Sequence, residues 1–310
     1  MEYRRIGNTG MRVSTLSFGA SSLGGVFHSL KEAEGIKTVH TAVEGGINFI
    51  DVSPYYGHLK SEILLGKALK EIDRDKYFLS TKVGRYGENG INLWDYSAKK
   101  AKESVYKSME RLNVNYIDLI NIHDIEFADL DQVCHETLPA LVELKKEGVV
   151  GHVGITNLTL SHFKYVIDNV PPQTVDSVLS FCHYCLNDDA LSDYLDYFEA
   201  NGVGVINASP FSMGLLTERG VPDWHPAPKP LIDLCEKAVQ HCKSKGKSIE
   251  QVAIKYAVSN PRIATTLFST TRSEAVLQNL QWAEEPLDTQ LLEEVQDILK
   301  SRFRDTWLNS

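Results

Sequence analysis

Short apolar runs alternate with longer amphipathic segments along most of this 310-residue chain. Eight runs rich in β-branched and aromatic residues are typical of buried strands. They lie near residues 15–19, 47–52, 77–83, 116–123, 149–155, 175–181, 203–208 and 263–268. Patterns typical of helices lie between them, near residues 30–45, 60–70, 97–112, 131–147, 159–168, 188–201 and 248–259. Eight βα alternations predict a parallel sheet closed on itself, so we expect an α/β fold of the (β/α)8 TIM-barrel class.

Both ends of the pattern depart from strict alternation. Near the amino terminus, the turn signal from Asn8 to Gly10 separates two short runs and predicts a short β-hairpin before the barrel. Such a hairpin would close the bottom of the barrel. Residues 217–230 contain one glycine and four prolines, which predict a long irregular loop after the seventh strand. Because no linker divides the sequence, we expect residues 1–310 to form a single domain.

The composition excludes several functional classes. The chain is 43% apolar and 24% charged, as globular proteins are, and its formal net charge is −9. A negative chain is a poor partner for nucleic acids and for anionic membranes. No apolar stretch is long enough to span a membrane, and the amino terminus has no apolar signal segment. We therefore expect a cytoplasmic protein.

The positions of the five cysteines indicate neither a disulfide framework nor a complete metal site. An odd number in a chain of this length argues against structural disulfides. Cys182 and Cys185 have the spacing of half a zinc site, but a second pair at suitable spacing is missing. We expect reduced thiols and no metal.

Four polar residues lie at or just beyond the ends of predicted strands: Asp51, Tyr56, Lys82 and His123. Catalytic side chains of parallel barrels come from the carboxyl ends of strands, so we expect these four to meet. A free tyrosine has a pKa of about 10, which a neighbouring ammonium lowers. We assign Tyr56 as a general acid/base and Lys82 as the group that lowers its pKa. Asp51 would hold Lys82 in place, and His123 would orient a substrate oxygen.

Several segments around these residues resemble the signatures of a known family, the aldo-keto reductases. The catalytic signatures are Asp51-Val-Ser-Pro-Tyr-Tyr-Gly57, Ser80-Thr-Lys-Val83 and Asn121-Ile-His123, and the cofactor signatures are Gly154-Ile-Thr-Asn157 and Ala208-Ser-Pro-Phe-Ser-Met-Gly-Leu-Leu216. The resemblance runs from about residue 3 to residue 300. It implies a (β/α)8 barrel and a nicotinamide cofactor bound in an extended form, without a Rossmann domain. Consistent with this, no Gly-x-Gly-x-x-Gly follows a predicted strand.

The resemblance also implies which residues bind the cofactor. They are Gly19, Ala20, Asp51, Thr156, Asn157, Ser209, Pro210, Phe211, Met213, Leu215, Ser269, Thr270, Arg272, Gln278 and Asn279. Two positions depart from the family pattern. Ser180 and Phe181 lie nearest the usual glutamine that binds the nicotinamide amide, and Ala208 replaces the usual stacking tyrosine. Tyr184 is either a substitute for that tyrosine or a core aromatic.

The segment that discriminates NAD from NADP favours NAD. Family members that use NADP hold its extra phosphate with cations, whereas this chain has Ser269 and Ala275 there and keeps only Arg272. A ribose hydroxyl needs only neutral partners. Ser273 resembles a helix N-cap, however, so free backbone amides offer an alternative phosphate site.

Polar groups predict a hydroxylated substrate. Asp124 and Glu126 follow His123, and Trp224 lies in the long loop, where an aromatic ring can pack on a sugar. We predict that Tyr56, His123, Asp124 and Trp224 bind the substrate. Overall resemblance within the family implies NAD-dependent oxidation of L-galactose at C1 to the 1,4-lactone, a step towards ascorbate.

Two other functions remain open. One is an NADPH-dependent reductase of aldehydes and ketones within the same family. The other is a non-catalytic, nucleotide-binding regulatory subunit, although the chain carries no interaction tail. Because the family is often monomeric, we expect a monomer.

Overall fold

Eight parallel strands form a closed barrel in this protein. The computed structural model describes residues 1–25, 30–88, 91–305 and 307. Its strands are β1 (Tyr3–Arg5), β2 (Arg12–Ser14), β3 (Leu16–Gly19), β4 (Phe49–Asp51), β5 (Phe78–Val83), β6 (Arg85–Glu88), β7 (Ile91–Trp94), β8 (Ile117–Ile122), β9 (Val150–Asn157), β10 (Ser177–Phe181), β11 (Gly204–Ala208) and β12 (Thr265–Phe268). The barrel runs in chain order through β3, β4, β5, β8, β9, β10, β11 and β12, and β12 pairs with β3. The predicted (β/α)8 barrel is confirmed, with every strand end within two residues of its prediction.

Helices surround the barrel. They are α1 (Glu32–Glu44), α2 (Lys60–Leu69), α3 (Ala98–Leu112), α4 (Leu130–Gln132), α5 (Leu138–Lys146), α6 (Leu160–Asp168), α7 (Leu195–Ala200), α8 (Lys229–Ser244), α9 (Ile249–Ser259), α10 (Ser273–Glu284) and α11 (Thr289–Leu299). A π-helical turn joins α4 to α5. The helical patterns missed α8, α10 and α11, although the cap signal at Ser273 pointed to α10. Helix α8 begins inside the segment expected to be irregular, because Pro230 is tolerated in a first helical turn.

The amino-terminal hairpin closes the bottom of the barrel, as predicted. Strands β1 and β2 pair antiparallel. Ile6 and Met11 are buried in one apolar cluster with the barrel residues Phe49 and Leu119. Gly7 has φ +45°, and a Cβ there would lie 2.4 Å from the backbone nitrogen of Gly204. A side chain at residue 7 would therefore push the hairpin away from the barrel wall.

A second hairpin, β6–β7, was not predicted and lies directly after β5. The dipeptide Asn89-Gly90 between the two strands is a strong hairpin signal in the sequence. The hairpin follows the carboxyl end of β5, which is the end of the barrel where Lys82 lies. It therefore brings its side chains to the mouth of the barrel.

The cysteines are packing residues. All five are buried and free. Burial raises the pKa of Cys182 to about 12 and that of Cys185 well above its ordinary value, so both remain protonated thiols. Across the described ranges, no three His, Cys, Asp or Glu side chains are grouped to hold a metal. No described helix is long and apolar enough to cross a membrane.

Candidate active site

A buried ion pair joins the ends of β4 and β5. The Lys82 ammonium pairs with Asp51 and also donates a hydrogen bond to the Val52 carbonyl oxygen at 2.9 Å. The two side chains are 1% and 4% exposed. Burial alone would lower the pKa of Lys82, but the charge of Asp51 and the contact with Tyr56 raise it overall. Lys82 is therefore a permanent cation inside the barrel.

Two further polar residues hold Asp51 in place. Ser80 Oγ donates to Asp51 Oδ2 at 2.7 Å, and Asn121 Nδ2 donates to Ser80 Oγ at 2.9 Å. The sequence reasoning assigned no role to Ser80 or Asn121. A signal was present, because Ser80 lies two residues before Lys82 and Asn121 two residues before His123, so each shares the face of a predicted site residue.

Tyr56 lies against both Lys82 and His123. The Lys82 Nζ atom is 4.9 Å from the centre of the Tyr56 ring, and the His123 ring centre is 5.7 Å from it. Burial raises the pKa of Tyr56, the carboxylates of Asp51 and Asp124 raise it further, and Lys82 opposes this without reversing it. Lys82 acts in the predicted direction, but the net shift is upward, which corrects the expectation of a lowered pKa. Tyr56 is therefore mainly a neutral phenol at neutral pH and must lose its proton before it can act as a base.

His123 is neutral and well oriented. Burial lowers its pKa well below the ordinary value, and the cations Lys82 and Arg85 lower it further. Its Nδ1 atom lies 3.0 Å from Ser53 Oγ, and its Nε2 atom lies 3.5 Å from Asp124 Oδ2. A neutral imidazole donates through only one of its two nitrogens.

The β6–β7 hairpin brings a cation to the mouth. Arg85 pairs with Asp124, and its guanidinium carbon lies 3.6 Å from the Tyr55 ring centre and 4.5 Å from that of Trp94. Cation–π contacts of this kind fix the guanidinium. The predicted substrate ligand Asp124 is thus only 5% exposed and already paired. Sequence reasoning missed Arg85 because it missed the hairpin.

The residues of the β9 cofactor signature hold the loop after β8. The Asp124 N–H donates to Thr156 Oγ1 at 3.0 Å, and the Glu126 N–H donates to Asn157 Oδ1 at 2.8 Å. Asn157 Nδ2 donates to the Thr159 carbonyl oxygen at 2.8 Å. Any bond from Thr156 or Asn157 to a cofactor amide would use their remaining hydrogen-bonding capacity.

The loop after β11 has a backbone suited to an anion. Ser209, Ser212 and Met213 adopt positive φ angles of 61°, 48° and 55°. Phe211, with φ −92° and ψ 10°, is followed by left-handed Ser212 and Met213, a turn related to those of anion-binding concavities, although the Ser212 N–H donates to the Ser209 carbonyl oxygen at 2.8 Å. The buried Ser212 Oγ has no hydrogen-bond partner among the described residues.

Hydrogen bonds join the segment after β12 to the segment after β3. Ser269 Oγ accepts hydrogen bonds from the Ser22 N–H at 3.0 Å and from Ser21 Oγ at 3.1 Å. Helix α10 begins at Ser273, so its N-cap is Arg272, which forms no side-chain cap bond. This corrects the expectation that Ser273 is the cap, and the first amides of α10 have no capping side chain.

The comparison with protein families settles the family. A family model described as "Aldo/keto reductase family" matches residues 15–300. The chain belongs to the aldo/keto reductase family. Its oxidoreductase character follows from that membership.

Similarity to individual family members covers nearly the whole chain. L-Galactose dehydrogenase of Arabidopsis thaliana is 46% identical over 99% of this chain and 97% of its own length. D-Arabinose 1-dehydrogenase of Saccharomyces cerevisiae is 31% identical over 86% of this chain and 84% of its own. The solved holo form of an aldo-keto reductase from Bacillus halodurans superposes with a TM-score of 0.82 at 26% identity, and the match covers 99% of both chains.

Aldo/keto reductases use a nicotinamide cofactor, and the residues present fit one. The Ser212 hydroxyl and the positive-φ backbone around it suit a pyrophosphate, and the uncapped start of α10 offers free amides to a ribose hydroxyl or to a phosphate. Gly19 and Ala20 lie where β3 ends, Gln278 is half-buried, and Asn279 is buried on α10. The remaining expected cofactor residues are those of the β11 loop and of the segment before α10: Pro210, Phe211, Leu215 and Thr270.

Two aromatic residues that were considered as ligand contacts lie in different surroundings. Tyr184 is 7% exposed and stacks on Tyr256 with ring centres 5.0 Å apart, so it is a core aromatic. Trp224 is 54% exposed and stacks on His225 in the loop after β11, beside the predicted anion-binding backbone. Its contact with a substrate remains a prediction.

Proposed function

We propose that this protein is an NAD-dependent dehydrogenase that oxidises L-galactose at C1 to L-galactono-1,4-lactone. The choice of sugar rests on one observation, the 46% identity to a plant L-galactose dehydrogenase over 99% of the chain. The chemistry rests on the buried cluster of Asp51, Tyr56, Lys82 and His123.

Each of the four residues has a different role in the proposed alcohol oxidation. Tyr56 takes the proton of the C1 hydroxyl in its phenolate form, which becomes more populated as the pH rises and which the charge of Lys82 stabilises before the proton arrives. Asp51 keeps Lys82 charged and fixed. His123 donates a hydrogen bond to the same substrate oxygen and sets its angle. The nicotinamide, when bound, supplies the redox chemistry.

The mouth of the barrel favours a hydroxylated substrate over an apolar ketone. Asp124 and Arg85 form a fixed ion pair beside His123, and Glu126 Oε2 is buried without a partner among the described residues. Trp94 and Phe127 pack together with ring centres 4.2 Å apart and are 37% and 57% exposed. Carboxylates beside exposed aromatic rings suit sugar hydroxyls and a sugar ring face.

Absorbance of the reduced nicotinamide tests this proposal. Purified protein is mixed with L-galactose and either NAD or NADP, with D-arabinose and simple aldehydes in parallel. Fast formation of NADH from L-galactose is expected. Consumption of NADPH with simple aldehydes, without any reaction of L-galactose, would identify a general carbonyl reductase. Nucleotide binding without turnover of any substrate would identify a regulatory subunit.

The choice of NAD predicts the effect of adding a cation at residue 269. Ser269→Lys should lower the KM for NADP about tenfold, because a charge-assisted bond to a phosphate is worth about 1.5–3 kcal/mol. The substitution also removes the hydrogen bonds to Ser21 and Ser22. Ser269→Ala removes the same bonds without adding charge and serves as the control. An unchanged KM for NADP in Ser269→Lys would contradict the argument from missing cations.

The raised pKa of Tyr56 predicts the pH dependence of oxidation. Below that pKa the phenol is protonated, so the fraction able to accept a proton rises with pH, by up to about tenfold per unit. We expect kcat/KM for oxidation to rise between pH 7 and pH 9. Burial and Asp124 raise the pKa of Glu126 to about 8, so it titrates in the same range. Glu126→Gln should keep the rise, and a flat profile in this variant would remove Tyr56 as its cause.

We also propose that the enzyme acts as a monomer in a reducing compartment such as the cytoplasm. Five buried, free cysteines suit such a compartment, where thiols stay reduced. Sedimentation of the purified protein tests the oligomeric state.

A further inference from the structure

We propose that Ser53 is a positioning residue that holds His123 in the tautomer protonated at Nε2. The inference deepens the proposed function, because that proton is the one His123 donates to the substrate oxygen. Ser53 lies in the Asp51-Val-Ser-Pro-Tyr-Tyr56 segment and belongs to none of the expected site residues.

A short chain of hydrogen bonds links the backbone of this segment to the imidazole. The Tyr55 N–H donates to Ser53 Oγ at 3.1 Å, and Ser53 Oγ lies 3.0 Å from His123 Nδ1. Ser53 is fully buried, and His123 is 4% exposed. The hydroxyl therefore sits between one donor and one ring nitrogen, out of contact with solvent.

Only one tautomer satisfies all the groups in this chain. With His123 protonated at Nε2, Ser53 accepts from Tyr55 and donates its hydroxyl proton to Nδ1. The Nε2 proton then faces Asp124 Oδ2, 3.5 Å away, and the substrate side of the ring.

The other tautomer leaves two conflicts. If Nδ1 carried the proton, it would donate to Ser53, and no described contact would accept the Ser53 hydroxyl proton. The lone pair of Nε2 would also lie 3.5 Å from Asp124 Oδ2, a weaker conflict because that carboxylate is paired with Arg85. An unmet buried donor is costly, and this cost favours the Nε2-protonated form at least about fivefold.

The same six-residue segment thereby organises the whole site. Asp51 and the Val52 carbonyl oxygen hold Lys82, Ser53 holds His123, and Tyr56 is the acid/base. Without the Ser53 hydroxyl, part of the population would have a lone pair at Nε2, which cannot donate to a substrate oxygen. Such molecules would bind sugar but would not orient it.

Nitrogen NMR of the imidazole reads the tautomer without any substrate. In ¹⁵N-histidine-labelled protein, the signals of His123 are assigned by comparison with His123→Asn. In the wild-type protein we expect the proton predominantly on Nε2 throughout the neutral range. Ser53→Ala should show a mixture of both forms, and Ser53→Thr, which keeps a hydroxyl, should keep the Nε2 form. A wild-type proton on Nδ1, or an unchanged single form in Ser53→Ala, would overturn the proposal.

Kinetics separates positioning from general loosening of the fold. Ser53→Ala should lower kcat about 10- to 100-fold, a typical loss for one positioned hydrogen bond in the transition state, with little change in KM. Ser17→Ala removes another fully buried, hydrogen-bonded hydroxyl, from β3, and serves as the matched control. Equal losses in the two variants would overturn the proposal. Because the NMR result needs no sugar, a failure of L-galactose as substrate leaves this test intact.

Discussion

Tyr56→Phe should lower kcat for L-galactose oxidation about a thousandfold, within the range typical of a lost general acid/base. Phenylalanine keeps the ring that packs against His123, 5.7 Å away, and removes only the hydroxyl. The fold and the binding of cofactor should therefore remain. Steady-state turnover measures the loss of kcat. Titration of the protein with NADH, followed by fluorescence, measures whether cofactor binding is retained.

A second buried tyrosine provides the control for this substitution. Tyr77 is 4% exposed, and Tyr77→Phe removes a hydroxyl directly before β5, at the opposite end of that strand from the site. We expect its turnover to stay close to that of the wild-type protein. Tyr56→Phe turnover equal to wild type would remove Tyr56 from the mechanism, whereas failure to bind NADH would assign it to cofactor binding instead.

Lys82→Met should both abolish turnover and destabilise the fold. It leaves the Asp51 carboxylate, 4% exposed, without its cation. Breaking a buried pair in this way typically costs about 3–5 kcal/mol in the free energy of unfolding. Urea denaturation followed by circular dichroism measures the loss, which should appear as a lower midpoint with an unchanged slope.

A double variant tests whether the unpaired charge of Asp51 causes the loss of stability. Asp51→Asn combined with Lys82→Met removes both charges and should recover much of the lost stability while remaining inactive. Lys102→Met breaks an exposed pair with Glu143 and should leave the midpoint nearly unchanged. A double variant no more stable than Lys82→Met alone would mean that lost packing, rather than the charge of Asp51, explains the effect.

The hydrophobic pattern was sufficient to predict the barrel, because each barrel strand can be recognised from its own short stretch of sequence. A buried parallel strand is apolar on both faces, so the eight runs stand out from the amphipathic segments between them. Helix α8 escaped notice although Leu231, Cys235, Ala238 and Cys242 give it a buried face at helical spacing. The prolines before it hid its beginning, since proline is read as a sign of irregular structure.

The sequence by itself determined the fold class and which four residues would meet at the mouth of the barrel. Asp51, Lys82 and His123 stand at the ends of apolar runs, and the rule that strand ends meet at one face of a barrel is enough to bring them together. The spacing of Tyr56 from Asp51 then places it at the same mouth.

Only the tertiary structure decided how those residues are held and how they titrate. Arg85 pairs with Asp124 across 39 residues of sequence, and Ser53 reaches His123 across 70. Such partners depend on the register between strands and on a hairpin that packs over the mouth, neither of which periodicity specifies. The pKa of Tyr56 is a balance between burial, which raises it, and Lys82, which lowers it. The sequence shows that a cation, Lys82, is available to lower the pKa of Tyr56. Burial, which raises that pKa and prevails, arises only once the chain has folded.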